Sequence, residues 1–109
     1  MAQPHTRSGQ VVSLMPLAQR LSTERTTAIL KAEQLELVRI VLSEGKSFPE
    51  HQVQGEISVL CIEGRLVFSS PDGSVELGPM DLIHVRGGVP HALTALVDSS
   101  ALLTICLAT

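Results

Sequence analysis

The chain has 109 residues, 44% of them hydrophobic, a formal net charge of −3, and two phenylalanines as its whole aromatic complement. That length suits one domain. The scattered Lys and Arg and the absence of Trp and Tyr argue against nucleic acid, which calls for a basic stripe and stacking aromatics. No apolar run approaches the roughly 18 residues of a membrane span.

Residues 1–10 are polar, with Pro4 and Gly9, and have no signal-peptide-like apolar segment; they are expected to form a flexible tail. A single domain is expected over 11–109. Residues 11–14 suit a short strand. Residues 15–21 suit a helical turn or two, with Pro16 in the first turn and Leu17 and Leu21 paired four apart. Residues 26–32 are β-branched and short, and are predicted as a strand. Residues 34–42 have a composition that allows a helix, but the β-branched cluster and the Gly45 stop favour a strand. Its alternation places Leu35, Leu37, Arg39 and Val41 on one face and Glu36, Val38, Ile40 and Leu42 on the other.

A glycine-proline loop then leads from Gly45 to His51. Residues 56–62 and 65–70 are predicted as a hairpin across Glu63-Gly64, and Pro71-Asp72-Gly73 as the next turn. Short strands follow at 75–77 and 81–85. A second loop, 86–90, delivers His91 to a strand at 91–97, and a last strand runs over 101–107. About eight short strands with regular turn signals point to an all-β sandwich or barrel. A domain this small buries only about 60–70% of its unfolded surface. With so large a hydrophobic share, a subunit interface is expected, most simply a two-fold homodimer. Cys61 and Cys106 form no CxxC pair and lie in apolar runs. They are expected as buried, reduced thiols of a cytoplasmic protein.

The two histidine loops resemble the two motifs of the cupins, a family of small bacterial jelly-roll barrels. Gly45, His51 and Gly64 fit the first motif; Asp81, Gly88 and His91 fit the second, within DLIHVRGGVPHAL. The resemblance covers about residues 35–107. It implies a cupin-type double-stranded β-helix, with the N-terminal strand and helical turn as additions. It also implies a pocket around His51 and His91, and a divalent metal held in the family by three histidines and a glutamate. Here His51 and His91 keep two of those positions. Val53 stands where the second histidine falls and Ile57 where the glutamate falls; Met80, Arg86 and Ala95 replace the second motif's glycine, proline and asparagine.

A catalytic metal generally takes three or more protein ligands. His84 would join the pair if the strand face that it shares with Leu82 lines the barrel. Glu56 would join it if a bulge at Gly55 reverses its parity. The metal, if present, would be iron, nickel, zinc, manganese or copper. Without one, two imidazoles can still act as acid and base near neutral pH. Arg39 either reaches into the barrel or pairs with a nearby acid, and Arg86 is placed at the pocket mouth. Phe48 and Phe68 are expected in the core, and Pro49 and Pro90 as stiffeners of the loops. The expected function is binding of a small molecule in this pocket, with or without a metal's assistance, and with oxygenase, isomerase and lyase chemistry all open. The alternatives are a metal-free ligand-binding or sensing module and a dimeric interaction module.

Overall fold

The computed structural model describes residues 5–107, with His51 described through its backbone alone. A short 3-10 turn, Ala18–Ser22, precedes the strands β1 (Thr27–Lys31), β2 (Leu35–Leu42), β3 (Ser47–His51), β4 (Ile57–Glu63), β5 (Leu66–Ser70), β6 (Gly73–Leu77), β7 (Leu82–Val85), β8 (His91–Ala95) and β9 (Ser99–Cys106). They form two antiparallel sheets, a five-stranded one ordered β1-β2-β9-β4-β7 and a four-stranded one ordered β3-β8-β5-β6. Only β1–β2 and β5–β6 are neighbours in both chain and sheet; every other connection crosses between the sheets. This is the all-β jelly roll that the turn spacing predicts. Among the described residues no helix is long and apolar enough to cross a membrane.

Alternation decides which side chains meet. In the larger sheet the register aligns Val38 with Leu103 and Val59, and Ile40 with Ala101 and Cys61. In the smaller sheet Leu93 stands between Phe48 and Phe68, and Leu66 beside Ala95. The two inner faces close on one another as a single apolar cluster that includes Ile40, Val59, Cys61, Leu66, Phe68 and Leu103. Each such side chain contributes roughly 1.5–3 kcal/mol on burial. The strand reading of residues 34–42 holds, and its inner face is the one carrying Val38, Ile40 and Leu42.

Several local expectations are corrected. Residues 56–62 and 65–70 do not form a hairpin, because β4 and β5 belong to different sheets. Gly64, at φ +88°, is the corner where the chain leaves one sheet for the other, and a Cβ there would collide with Ser99 Oγ and the Asp98 carbonyl. Arg65 N–H donates to Ser99 Oγ (3.0 Å), which holds the corner against the start of β9. The stretch before His51 is not a loop throughout: residues 47–51 form β3, an edge strand, where a proline is tolerated.

Residues 11–14 form no strand. They lead into a strap that crosses the outer face of the larger sheet, pinned where Leu17 and Ala18 N–H donate to Glu63 (2.8 and 2.9 Å). The helical turn starts late, at Ala18, because Glu63 holds those two amides and Ala18 itself sits at φ +52°. The N-terminal tail is not loose over its described part, since Thr6 N–H donates to the Ile29 carbonyl (2.8 Å). Residues 1–4 of that tail lie outside the described residues. Cys61 is buried as expected, but Cys106 is exposed, because its register opposite Leu35 puts it on the outer face.

Candidate functional site

The site is built on the edge of the smaller sheet. β3 pairs with β8 through Ser47–Thr94 and Phe48–Leu93, and then an extra residue intervenes before His51 pairs with His91. Uninterrupted alternation from Phe48 would have brought Glu50 opposite His91. The bulge falls within Pro49-Glu50, where the proline has no N–H to give to the ladder, and it substitutes a histidine for an acid at that register position.

His91 is 3% exposed. Its ring stacks on Phe68, with centroids 5.7 Å apart and planes 13° from parallel. Its Nδ1 lies 2.9 Å from the Val89 carbonyl. A carbonyl only accepts, so Nδ1 carries the hydrogen, and the lone pair of the neutral ring is on Nε2. A backbone bond of this kind fixes the tautomer and orientation of an imidazole.

The loops that carry the two histidines are pressed together. Gly88 N–H donates to the Val53 carbonyl (2.8 Å). A Cβ at Gly87 would overlap the Gln54 carbonyl, so glycine is what lets residues 86–88 lie on residues 53–55. Val53 and Val89 pack against the core, and Ile57 belongs to it. A cavity of about 230 Å³ opens beside Phe68 and Val89, which His91 contacts; Val85 and Ile83 line it, with Arg86 and Asp72 as its charged lining. Arg86 thus lines a cavity next to the His91 strand's neighbours.

His84 also borders this cavity, but it and the other candidates do not face the barrel interior. His84 pairs in register with Ser58, on the outer face of the larger sheet, so the face that it shares with Leu82 does not line the barrel. Glu56 lies on that side too, accepting from His84 Nε2 at 2.7 Å, with both side chains more than half exposed. Neither joins His91. Arg39 also faces outward, donating through Nη2 to the Met15 carbonyl (2.6 Å) and standing 4.0 Å from Glu63. Its pairing partner is thus an acid 24 positions along the chain, not a group in the barrel.

Two residues that matter here carried weak signals in the sequence. Phe68 was readable as core from its alternation with Leu66, but not as the ring that His91 stacks on. Glu63 reads locally as a turn residue and yet anchors the N-terminal strap.

No family model and no curated protein matches the sequence. Solved structures do. A conserved protein of unknown function from Streptococcus pyogenes superposes with a TM-score of 0.79 at 17% identity, over 100% of this chain and 99% of that one. A cupin superfamily protein from Desulfitobacterium hafniense gives 0.77 at 17% identity, over 99% of each chain. This is the cupin fold. An RmlC-like cupin from Desulfovibrio desulfuricans adds a TM-score of 0.69 at 20% identity, over 94% and 97% of the two chains.

Cupins are associated with divalent metals, so the donor set of this cupin fold can be tested against one. Val53 and Ile57, at two of the family's ligand positions, are apolar and packed, and Ile57 is only 3% exposed. His84 and Glu56 turn outward. Among the described residues no group of three or more His, Cys, Asp or Glu side chains converges. Two histidines, with apolar residues at the family's other two positions, do not supply the three or more protein ligands that a catalytic metal takes.

Proposed function

We propose that this cupin-fold protein binds a small, largely apolar molecule through a single polar group that meets the histidine pair. The observation that carries this reading is the environment of His91: buried, stacked on Phe68, oriented by Val89 and surrounded by apolar side chains. Pockets for small ligands have this composition, apolar walls with a few placed polar groups. A carboxylic acid or a primary amide suits it, because the Nε2 lone pair accepts from the acid's O–H or the amide's N–H, and a protonated ring donates to a carboxylate. Arg86, which lines the adjoining cavity, adds a cation for an acidic ligand.

The test is a thermal-shift and calorimetric screen with benzoate, hexanoate and their amides, run on wild type, His91→Ala and His51→Ala. Saturable binding that weakens tenfold or more in both variants, or about 1.4 kcal/mol, is the expected result. Equal affinity in wild type and variants would sink the reading. Protein purified without chelator is analysed for metal in parallel. Near-stoichiometric iron, nickel, zinc, manganese or copper that disappears in the double variant would replace this reading with a metal-centred one.

A separate observation supports the expected self-association. Met15, Met80 and Leu82 are strongly exposed on or beside the outer face of the larger sheet. They adjoin an apolar groove of about 330 Å³ lined by Leu14, Pro16, Leu60 and Ile62. We propose a second copy of the chain as its partner, in a two-fold arrangement. Light scattering should give twice the chain mass, and Leu82→Glu should shift the population toward monomer. A monomeric wild type at high micromolar concentration would overturn the assignment.

A further inference from the structure

Where the N-terminal strap crosses the larger sheet, it leaves a second cavity, of about 200 Å³, on the side facing β2. Unlike the histidine site it is polar, and its wall is cationic: Arg20, Arg25 and Arg39 line it, with Ser13, Glu24 and Val41. The volume is more than ten times the roughly 15 Å³ that admits one water.

The charges around it do not cancel. Three guanidinium groups face two carboxylates, Glu24 and Glu63, which leaves one positive charge. Glu24 lies 3.6 Å from Arg20. Glu63 is committed elsewhere: Oε2 accepts from Leu17 N–H and the Ser100 hydroxyl, and Oε1 from Ala18 N–H. Arg39 therefore stands 4.0 Å from Glu63 without a hydrogen bond to it. Its Nη2 is used on the Met15 carbonyl, while its Nε, shielded from solvent, has no hydrogen-bond partner among the described residues. The Arg39 side chain is only 12% exposed. Burial lowers its pKa, more than the charge of Glu63 raises it, and Arg20 lowers it further; a negative group nearby would act against that lowering.

We propose that this cavity is a binding site for a small oxyanion, a phosphate or carboxylate group held among Arg39, Arg20 and Arg25. Guanidinium groups suit such anions because their planar donors match two oxygens at once. An anion seated there would also fasten residues 13–20 to β2, since the strap supplies Ser13 and Arg20 while β2 supplies Arg39.

The probes are inorganic phosphate and succinate, titrated separately at pH 7 with sodium chloride adjusted to constant ionic strength. Binding is followed calorimetrically and through the Arg39 Nε–Hε resonance. Saturable binding of either probe, with that resonance moving in step, is the expected result; phosphate alone would identify a phosphoryl ligand, and succinate alone a carboxylate. Arg20→Gln and Arg25→Gln, whose side chains make no hydrogen bond to Glu63, should each weaken binding tenfold or more. His51→Ala and His91→Ala should leave it unchanged. No saturable binding of either probe, or the same affinity in the arginine variants, would overturn the proposal. So would binding lost in the histidine variants alone, which would place the anion in the barrel.

Discussion

Glu63 shows how much one side chain can organise. Burial alone would raise its carboxyl, but the hydrogen bonds from Ser100, Leu17 and Ala18 and the charge of Arg39 outweigh burial and hold it below its ordinary value of 4.5. A carboxyl depressed in the folded state stabilises the fold fully above its unfolded value. That contribution is lost as the pH falls through the lower folded value. The strap should therefore loosen on acidification below about pH 4.5. Glu63→Gln keeps the size and removes the charge. It is expected to lower stability at pH 7 by about 1.5–3 kcal/mol, as for hydrogen bonds to charged groups, and by less at pH 3. Urea unfolding at the two pH values measures both; an equal loss at each would show that charge is not what holds the strap. None of this was legible locally. Arg39 could be seen to alternate with apolar residues, but the acid that faces it comes from another strand and the strap from the far N-terminus.

At the scale of elements, Gly64 was read correctly as a turn glycine and wrongly as a hairpin. A positive φ is what the local sequence reveals; whether the chain then folds back on its own sheet or crosses to the other depends on what lies against it. Here the neighbours are Asp98 and Ser99, more than thirty residues on. Gly64→Val combines a collision with both and a left-handed backbone. It should cost more than the roughly 1–3 kcal/mol of such strain alone, read as a fall in the denaturation midpoint. Gly73 sits at positive φ with no atom within 4 Å of a Cβ, so Gly73→Val should pay the strain without the collision and be the milder change. Equal losses would show that the contact with Ser99 is not what Gly64 protects. The strand at 34–42 was legible for a better reason. Eight alternating residues leave one register that buries Val38, Ile40 and Leu42 together.

At the scale of the whole molecule, the spacing of turn residues was enough for a jelly roll, because short strands between Gly- and Pro-rich turns have few ways to bury one face each. The order of strands within each sheet was not, since seven of the nine strands pair with at least one partner distant in sequence. The histidine site was half legible. Its two motifs marked His51 and His91, whose strands the fold makes neighbours. Which face His84 occupies depended on β7 pairing with β4, a long-range fact that the sequence does not carry.

Pro49 has one more consequence. A sheet that ends in an unpaired strand offers its bare amides and carbonyls to any passing chain, the usual start of fibrils and strand-exchanged aggregates. β3 is such an edge, and it carries His51. A proline that cannot donate, in a strand already kinked by an extra residue, makes this border a poor template for a foreign strand. The irregularity that sets the histidine opposite its partner thus also guards the solubility of the edge on which it lies.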